Sequence, residues 1–274
     1  MLSVFKVLII GIIISCALFI LFLLCMRGRS GYADFKTLGS KPLAHRGLHD
    51  IIKPENSISA FSAAKRKGYG VEFDVHLLKD GTLAVFHDYD LKRMTGREGS
   101  TEGLTADSLR EYHLKGTDDT IPTLDEVLSI FNKGETLVIE LKPNGRNAVK
   151  LCRAVCDRLA SYEGVYCIES FDPRCVLWFR KNRPDIVRGI IAQAPLKYRR
   201  SLGILNFFMG NLLFNFIIKP DFVAYRYSDR NRWAFKLCRS VWKIKGILWT
   251  LKDEAEQQEA ERLGCLQIFE GYEP

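Results

Sequence analysis

The sequence lacks several patterns that would assign it to a class at once. It has no internal repeat and no low-complexity linker, so nothing indicates a repeat array. No basic helix or patch of interleaved basic and aromatic residues occurs, despite a net charge of +8, which argues against nucleic acid as a partner. The cysteines from Cys152 onward show no paired framework, and Cys152 with Cys156 has no second pair to complete a zinc site. We therefore interpret these cysteines as small core residues.

Charge is absent from residues 7–26, which are flanked by Lys6 and Arg27. As a helix this stretch is about 30 Å long, which matches the hydrocarbon core of a bilayer. A cleaved signal peptide is the alternative, but the apolar run is long for one and no small-x-small cleavage site follows it. The sequence therefore predicts a transmembrane anchor over residues 1–26 and a juxtamembrane linker over 27–41.

The charges near this span predict its orientation. Lys6 precedes it, whereas Arg27, Arg29, Lys36 and Lys41 follow it. Because positive residues accumulate on the cytoplasmic side, we expect a single-pass protein of the cell membrane whose domain after the linker is cytoplasmic. The unpaired cysteines agree with a reducing compartment.

Residues 42–274 alternate short β-like runs with helical patterns. Apart from one hairpin, eight such runs are present, at residues 43–44, 72–75, 137–141, 165–169, 186–191, 222–225, 247–249 and 266–269. Eight strands alternating with helices predict an α/β fold, a (β/α)8 TIM barrel with a hairpin excursion after strand two. Catalytic residues of such barrels lie where the strands end.

Residues that can bind a metal ion or transfer a proton lie at those strand ends. His45 ends the first run, Glu72 and Asp74 the second, and Glu140 the third. Carboxylates are ligands for a hard divalent cation, so Glu72, Asp74 and Glu140 are the proposed metal ligands.

The hairpin brings a second histidine toward them. The Asp80-Gly81 turn predicts that Lys79 pairs with Thr82, which would set Asp74 directly opposite His87. His45 and His87 are therefore the proposed general acid/base pair, since imidazole changes protonation near neutral pH.

The order and spacing of several short motifs resemble a known family. HRG at 45–47, PENS at 54–57, ExD within VEFDV at 71–75, LLKDG at 77–81, HD at 87–88, LKRMTG at 91–96 and IELK at 139–142 resemble the glycerophosphodiester phosphodiesterases. The resemblance implies the same barrel and hydrolysis of a glycerophosphodiester to glycerol 3-phosphate and an alcohol. It also assigns the three carboxylates to Mg²⁺ or Ca²⁺ and places Glu55 near the metal.

Other residues are expected to bind the substrate. Arg46 and Lys142 would hold phosphate oxygens, and Asn56 would help to position the same group. Trp249 matches the aromatic residue of an aromatic-threonine pair in the family, whereas Glu270 stands where the family has an aspartate.

Two other functions remain open. One is a lysophospholipase D or phospholipase D-like reaction, in which the substrate's own hydroxyl attacks and a cyclic phosphate is released. The other is a non-catalytic membrane scaffold, which would require an incomplete site. The expected partners are a glycerophosphodiester or lysophospholipid substrate and membrane lipids. Residues 197–220, basic and then strongly apolar, are expected either to cover the barrel or to enter the membrane surface.

Overall fold

The computed structural model describes residues 2–29, 38, 41–131, 134–197 and 203–274. Lys36, Arg199 and Arg200, whose charges entered the sequence analysis, lie outside the described residues.

Eight parallel strands close into a barrel, as the sequence predicts. The strands are β1 (Leu43–His45), β2 (Gly70–Leu77), β3 (Leu83–Val85), β4 (Leu137–Leu141), β5 (Tyr166–Ser170), β6 (Arg188–Ala192), β7 (Phe222–Arg226), β8 (Lys245–Leu251) and β9 (Leu266–Phe269). In spatial order the sheet runs β1-β9-β8-β7-β6-β5-β4-β2, and β1 also pairs with β2, which closes the ring. The ninth strand in the sheet, β3, is antiparallel to β2 and forms the hairpin.

Helices follow the strands and cover the barrel. Two of their starts are capped by side chains: the Ser57 side chain accepts a hydrogen bond from the backbone N–H of Ala60, and Thr123 forms a capping box with Glu126. The helices are α1 (Leu2–Cys25), α2 (Ile58–Lys67), α3 (Lys92–Thr95), α4 (Leu124–Ile130), α5 (Ala148–Leu159), α6 (Pro173–Asn182), α7 (Gly203–Gly210), α8 (Asn215–Ile218), α9 (Trp233–Ser240) and α10 (Glu254–Arg262).

The hairpin register differs from the predicted one. Leu77 pairs with Leu83 and Val75 with Val85, so Asp74 lies opposite Phe86 and not opposite His87. The cause is the turn: Leu78 donates its N–H to the Thr82 carbonyl, and three residues ending in Gly81, at φ 93°, connect the strands. A three-residue loop with glycine at the left-handed position shifts the pairing by one residue.

The barrel interior is apolar at its base and polar at its mouth. Strand residues alternate between faces, so residues two apart along a strand share the interior. Leu43, Val138 and Cys167 belong to the buried interior cluster, and the residue two positions later in each strand is His45, Glu140 and Glu169 respectively. The polar residues therefore gather at the carboxyl ends of the strands.

Helix α1 is long and apolar enough to cross a membrane, although a signal sequence near an N-terminus has the same properties. Its side chains over most of its length are exposed, but its last turn packs on the barrel. Phe22 stacks on Trp233 at the start of α9, and the Met26 carbonyl accepts a hydrogen bond from Asn215 Nδ2 at 3.0 Å. Arg29 forms an ion pair with Asp221, immediately before β7.

Residues 203–218 form α7 and α8 and cover the barrel. Their three asparagines are buried: Asn206, Asn211 and Asn215. Exposed apolar side chains lie beside them, at Ile204, Leu205, Phe207, Phe208, Phe216 and Ile217. The segment thus combines a covering role with an apolar surface.

Candidate active site

Three carboxylates meet at the mouth of the barrel. Glu72, Asp74 and Glu140 are buried, and their ligand oxygens all lie within 4.8 Å of one another. Strand pairing accounts for this, because Asp74 on β2 and Glu140 on β4 are direct partners and Glu72 shares the face of Asp74. The structure brings the three proposed metal ligands together.

Crowding of these acids alters their protonation. Burial, reinforced by Asp74 and Glu140, raises the pKa of Glu72 well above its usual value. Burial also raises the pKa of Glu140 to about 7, against the opposing effect of Lys142. Burial opposes ionisation of Asp74 as well, but Lys142, His87 and Arg46 hold the pKa of this residue well below its usual value.

The two proposed phosphate-binding cations contact the same carboxylates. Lys142 Nζ lies 2.9 Å from Glu140 Oε1 and 3.1 Å from Asp74 Oδ1. Arg46 Nε lies 3.5 Å from Asp74 Oδ2. Both cations are therefore at the mouth, beside the acids and not remote from them.

His45 is held by a carboxylate that directly follows the last strand. Its Nδ1 lies 2.6 Å from Glu270 Oε2, and its Nε2 lies 3.7 Å from Glu72 Oε2. Burial lowers the pKa of His45 to about 4, so the ring is neutral at pH 7. Because a carboxylate only accepts hydrogen bonds, Nδ1 carries the proton and Nε2 faces the acids as an acceptor.

His87 reaches the site despite the shifted register. It lies beyond the end of β3, in a bend where the alternation of a strand no longer fixes its direction. Its Nδ1 lies 2.6 Å from Asp88 Oδ1, which leaves its Nε2 available in the same way. Burial lowers the pKa of His87, and the ring lines the same cavity as His45.

Glu55 and Asn56 support neighbouring side chains. Glu55 accepts hydrogen bonds from Arg46 and from both terminal nitrogens of Arg93. Among the described residues, the carboxylate group of the mouth does not include it. Asn56, at φ 56°, donates from Nδ2 to Asp74 Oδ2 at 3.0 Å. The structure thus places Glu55 against arginines and Asn56 against a proposed metal ligand.

A cavity of about 50 Å³ is lined by both histidines and by Arg46, Glu72 and Glu140. Trp249 lines it, as do four residues that the sequence analysis did not single out: Glu169, Phe171, Ile191 and Ile268. Glu169 carries the same signal that identified Glu140, a carboxylate near the end of an apolar strand. Burial, with Glu140 and Asp74 nearby, raises the pKa of Glu169 well above its usual value.

The three-carboxylate group fits a hard divalent cation. Its donors are all oxygens, they converge, and Glu72 Oε2 accepts no hydrogen bond within the part of the chain that the structure describes. Burial raises the pKa of both Glu72 and Glu140, and a cation bound between them would favour their charged forms.

A comparison with known families decides the assignment. The model of the glycerophosphoryl diester phosphodiesterase family matches residues 45–269, from the first strand to the last. The chain belongs to this family. It is therefore an enzyme of the phosphoric diester hydrolase class, a glycerophosphodiester phosphodiesterase.

Relatives of this phosphodiesterase family match the barrel over different lengths. A putative glycerophosphodiester phosphodiesterase of Bacillus subtilis, YhdW, is 32% identical over 241 residues, which is 84% of this chain and 93% of YhdW. A glycerophosphodiester phosphodiesterase of Caldanaerobacter subterraneus is 31% identical over 56% of this chain and 67% of its own length.

Solved structures of the family share the fold. An Oleispira antarctica phosphodiesterase in complex with the product sn-glycerol-3-phosphate aligns with a TM-score of 0.68 at 23% identity, covering 84% of this chain and 92% of that one. The glycerophosphodiester phosphodiesterase of Thermotoga maritima aligns with a TM-score of 0.63 at 26% identity, covering 83% and 92%.

Proposed function

We propose that this phosphodiesterase hydrolyses glycerophosphodiesters to glycerol 3-phosphate and an alcohol. The observation that carries the proposal is the convergence, at one barrel mouth, of three buried carboxylates with two histidines whose Nδ1 atoms are each held by a carboxylate. Such a set supplies the parts that phosphodiester cleavage requires: positive charge on the phosphate oxygens through a bound cation, a base and an acid.

His45 and His87 are the proposed proton carriers. One neutral Nε2 removes a proton from the attacking water, while the other ring, which enters this step protonated at both nitrogens, delivers its Nε2 proton to the leaving oxygen. Each Nδ1 stays hydrogen-bonded to its carboxylate, Glu270 or Asp88, which keeps the ring oriented.

Glu72, Asp74 and Glu140 are the proposed ligands of a divalent cation, Mg²⁺ or Ca²⁺. When bound, such an ion supplies positive charge to the non-bridging phosphate oxygens. Arg46 and Lys142, at the same mouth, add two more positive charges for the phosphate.

The test identifies the phosphorus-containing product of the reaction. With glycerophosphocholine and purified protein in defined metals, phosphorus NMR is expected to show glycerol 3-phosphate as the product. Accumulation of a persistent cyclic phosphate would instead establish the phospholipase D-like reaction. Absence of turnover by the folded protein with either ion would favour the scaffold function.

The metal assignment has its own control. Chelation by EDTA is expected to abolish turnover, and Asp74→Asn is expected to abolish it while the barrel stays folded by circular dichroism. Full activity of Asp74→Asn in EDTA would contradict the ligand assignment.

Residues 1–26 are the proposed membrane anchor of the barrel domain at 42–274, with 27–41 as the linker. Support comes from the exposed apolar surface of α1 along most of its length. Part of the linker packs on the barrel, since Gly28 is buried and Arg29 is paired with Asp221. The Arg29 charge is therefore paired within the protein. Membrane flotation of the full chain tests the anchor. Protection of the barrel domain from added protease in sealed membranes tests the cytoplasmic orientation.

Lysophospholipids are a second candidate substrate class. The observation that favours them is the apolar surface of α7, which follows β6 and so begins on the mouth side of the barrel. The test compares lysophosphatidylcholine in vesicles with soluble glycerophosphocholine. Phe207→Ser with Phe208→Ser is expected to lower activity on the vesicles selectively, whereas Val149→Ser, an exposed apolar residue on α5, is the matched control. An unchanged ratio of the two activities would contradict a lipid substrate.

A further inference from the structure

We propose that the mouth of the barrel faces the lipid bilayer and that an apolar rim around it enters the headgroup layer. The apolar rim consists of Ile51, Ile52, Leu196 and helix α7. This inference rests on the proposed membrane anchor, because it takes the exposed part of α1 to lie in the bilayer. The surface involved is the outside of the barrel and not the site within it.

The contacts of α1 fix its direction along the barrel. Phe22 stacks on Trp233, the first residue of α9, with ring centroids 5.4 Å apart. About one turn later, the Met26 carbonyl oxygen lies 3.6 Å from Sγ of Cys238, in the last turn of α9. Helix α9 follows β7, so it runs from the mouth of the barrel toward its base. The end of α1 runs from mouth to base in the same direction.

The residues that follow α1 reach the base of the barrel. Arg29 donates its backbone N–H to the Pro220 carbonyl at 2.9 Å and pairs with Asp221, directly before β7 begins. Gly28 is packed tightly there, since a Cβ on it would lie 2.6 Å from the Pro220 carbonyl oxygen and 2.8 Å from Ile244, just before β8. Strands begin at the base of such a barrel. A continuous helix keeps its direction, so the earlier residues of α1 project past the mouth.

The length of the exposed part of α1 sets the distance between the barrel and the bilayer. Side chains of α1 are exposed from Phe5 to Leu21, and from Phe22 they begin to pack on the barrel. As a helix, residues 5–21 are about 26 Å long. This length is slightly less than the hydrocarbon core of a bilayer, which is about 30 Å thick. A bilayer that encloses these residues therefore leaves no gap in front of the mouth.

Two segments at the mouth expose apolar side chains where this contact is expected. Ile51 and Ile52, after β1, are 93% and 74% exposed, and Leu196, after β6, is 96% exposed. The two isoleucines are the central residues of an ordered turn, in which Asp50 donates its N–H to the Lys53 carbonyl at 2.9 Å. Oδ1 of Asp50 accepts the N–H groups of Ile52 and Lys53 in return, both at 2.8 Å. Contact with lipid would remove this apolar surface from water.

Helix α7 lies beside the same segment after β6. Its last residue, Gly210, packs so closely that a Cβ on it would lie 2.7 Å from Pro195 and 2.8 Å from the Gln193 carbonyl oxygen. The exposed apolar side chains of α7 are therefore near the mouth, close to Leu196. Trp233 is partly exposed where α1 leaves the barrel, and tryptophan is enriched at membrane interfaces. The apolar rim is thus continuous with the side of the protein from which the anchor projects.

The experiment measures the membrane depth of single spin labels on the full-length protein in vesicles of phosphatidylcholine and phosphatidylglycerol. Labels are attached at Ile52→Cys and Leu196→Cys, in a background in which Cys16→Ser and Cys25→Ser remove the two cysteines that are not buried. Val241→Cys is the matched control, because Val241 is an exposed apolar residue after α9, at the base. Circular dichroism checks the fold of each variant.

Depth is read from the ratio of two relaxation rates, one caused by oxygen, which concentrates in lipid, and one by a water-soluble nickel chelate. This ratio is expected to be several-fold higher for the labels at Ile52 and Leu196 than for the label at Val241. Equal ratios at the three positions would overturn the proposal, and so would a label at Val241 that lies in lipid. Broadening between labels on two copies, without contact with lipid, would show that a second copy covers the rim instead.

A label at Ile14→Cys, in the middle of α1, separates this proposal from the proposed anchor. If that label lies in lipid while the labels at Ile52 and Leu196 lie in water, the anchor is right and the orientation of the barrel is wrong. If the label at Ile14 lies in water, the anchor is wrong and the orientation fails with it.

Discussion

His45 Nδ1 lies 2.6 Å from Glu270 Oε2, although 225 positions separate the two residues in the sequence. The contact arises because β1 and β9 are neighbours in the closed barrel, and each residue lies at the end of its strand or just beyond it. Lys252 Nζ, 3.0 Å from Glu270 Oε1, fixes the other oxygen of the same carboxylate. Glu270 is thus held on one side by a cation and holds the imidazole on the other.

Glu270→Gln tests this positioning role. We expect kcat to fall by about 10- to 100-fold with a smaller change in KM, because the imidazole loses the group that orients it and stabilises its protonated form. Since the Glu270 carboxylate raises the pKa of His45, the variant should also show a lower apparent pKa for this histidine in its pH–rate profile. Glu273→Gln, which affects only an exposed pair with Lys67, is the control. An unchanged pH profile would contradict the role.

Cation binding should depend on pH in a defined direction. The pKa of Glu140 is raised to about 7, so below that pH a cation must displace a proton from it, whereas above pH 7 it need not. Affinity for Mg²⁺ or Ca²⁺ should therefore rise by up to about 10-fold per pH unit as pH increases toward 7, and then level off. Titration calorimetry in buffers of different ionisation enthalpy measures the protons released. Equal affinities at about pH 6 and pH 8, with no proton released, would show that cation binding displaces no proton from Glu140 in this range.

The histidine pair is tested by removing each ring separately. His45→Ala and His87→Ala should each lower kcat by about 100-fold or more with little change in substrate affinity, because proton transfer is lost and not binding. His113→Ala provides a matched control, since that ring contacts only the Thr117 carbonyl outside the site. Near-native kcat in either site variant would show that its histidine is structural.

Asn56→Gly tests the support of Asp74. Glycine adopts the φ of 56° without strain, so the change removes the amide and its 3.0 Å hydrogen bond to Asp74 while keeping the backbone. We expect cation affinity to fall by about 10- to 100-fold, which is usual when a partner of a metal ligand is lost. Calorimetry measures the affinity, and a thermal melt checks the fold. Unchanged affinity would mean that Asp74 needs no orienting group.

The barrel and much of its mouth could be predicted because strand ends carry a local signal. The predicted runs 137–141 and 266–269 coincide with β4 and β9, and parallel strands necessarily bring their carboxyl ends together. A carboxylate closing an apolar run, as Glu140 does, is visible in the sequence alone.

What could not be predicted depends on geometry between distant residues. The hairpin register was wrong because Asp80-Gly81 is compatible with both two- and three-residue loops, and the sequence does not distinguish them. The partners of Glu55 could not be predicted either, because Arg93 lies 38 positions away, beyond the hairpin of β2 and β3. Glu169 was missed although it has the signal of Glu140, since only the folded cavity shows that its oxygen is unpaired.

The pairing of β1 with β9, through Leu43 with Ile268 and Ala44 with Phe269, also sets when the site becomes complete. During synthesis His45 emerges early, but its carboxylate partner follows only after β9 has been made. A ribosome-bound chain that ends before Glu270 therefore contains both histidines and all three acids, but its His45 is not yet oriented by a carboxylate. The orientation of His45 by Glu270 is consequently a property of the finished barrel.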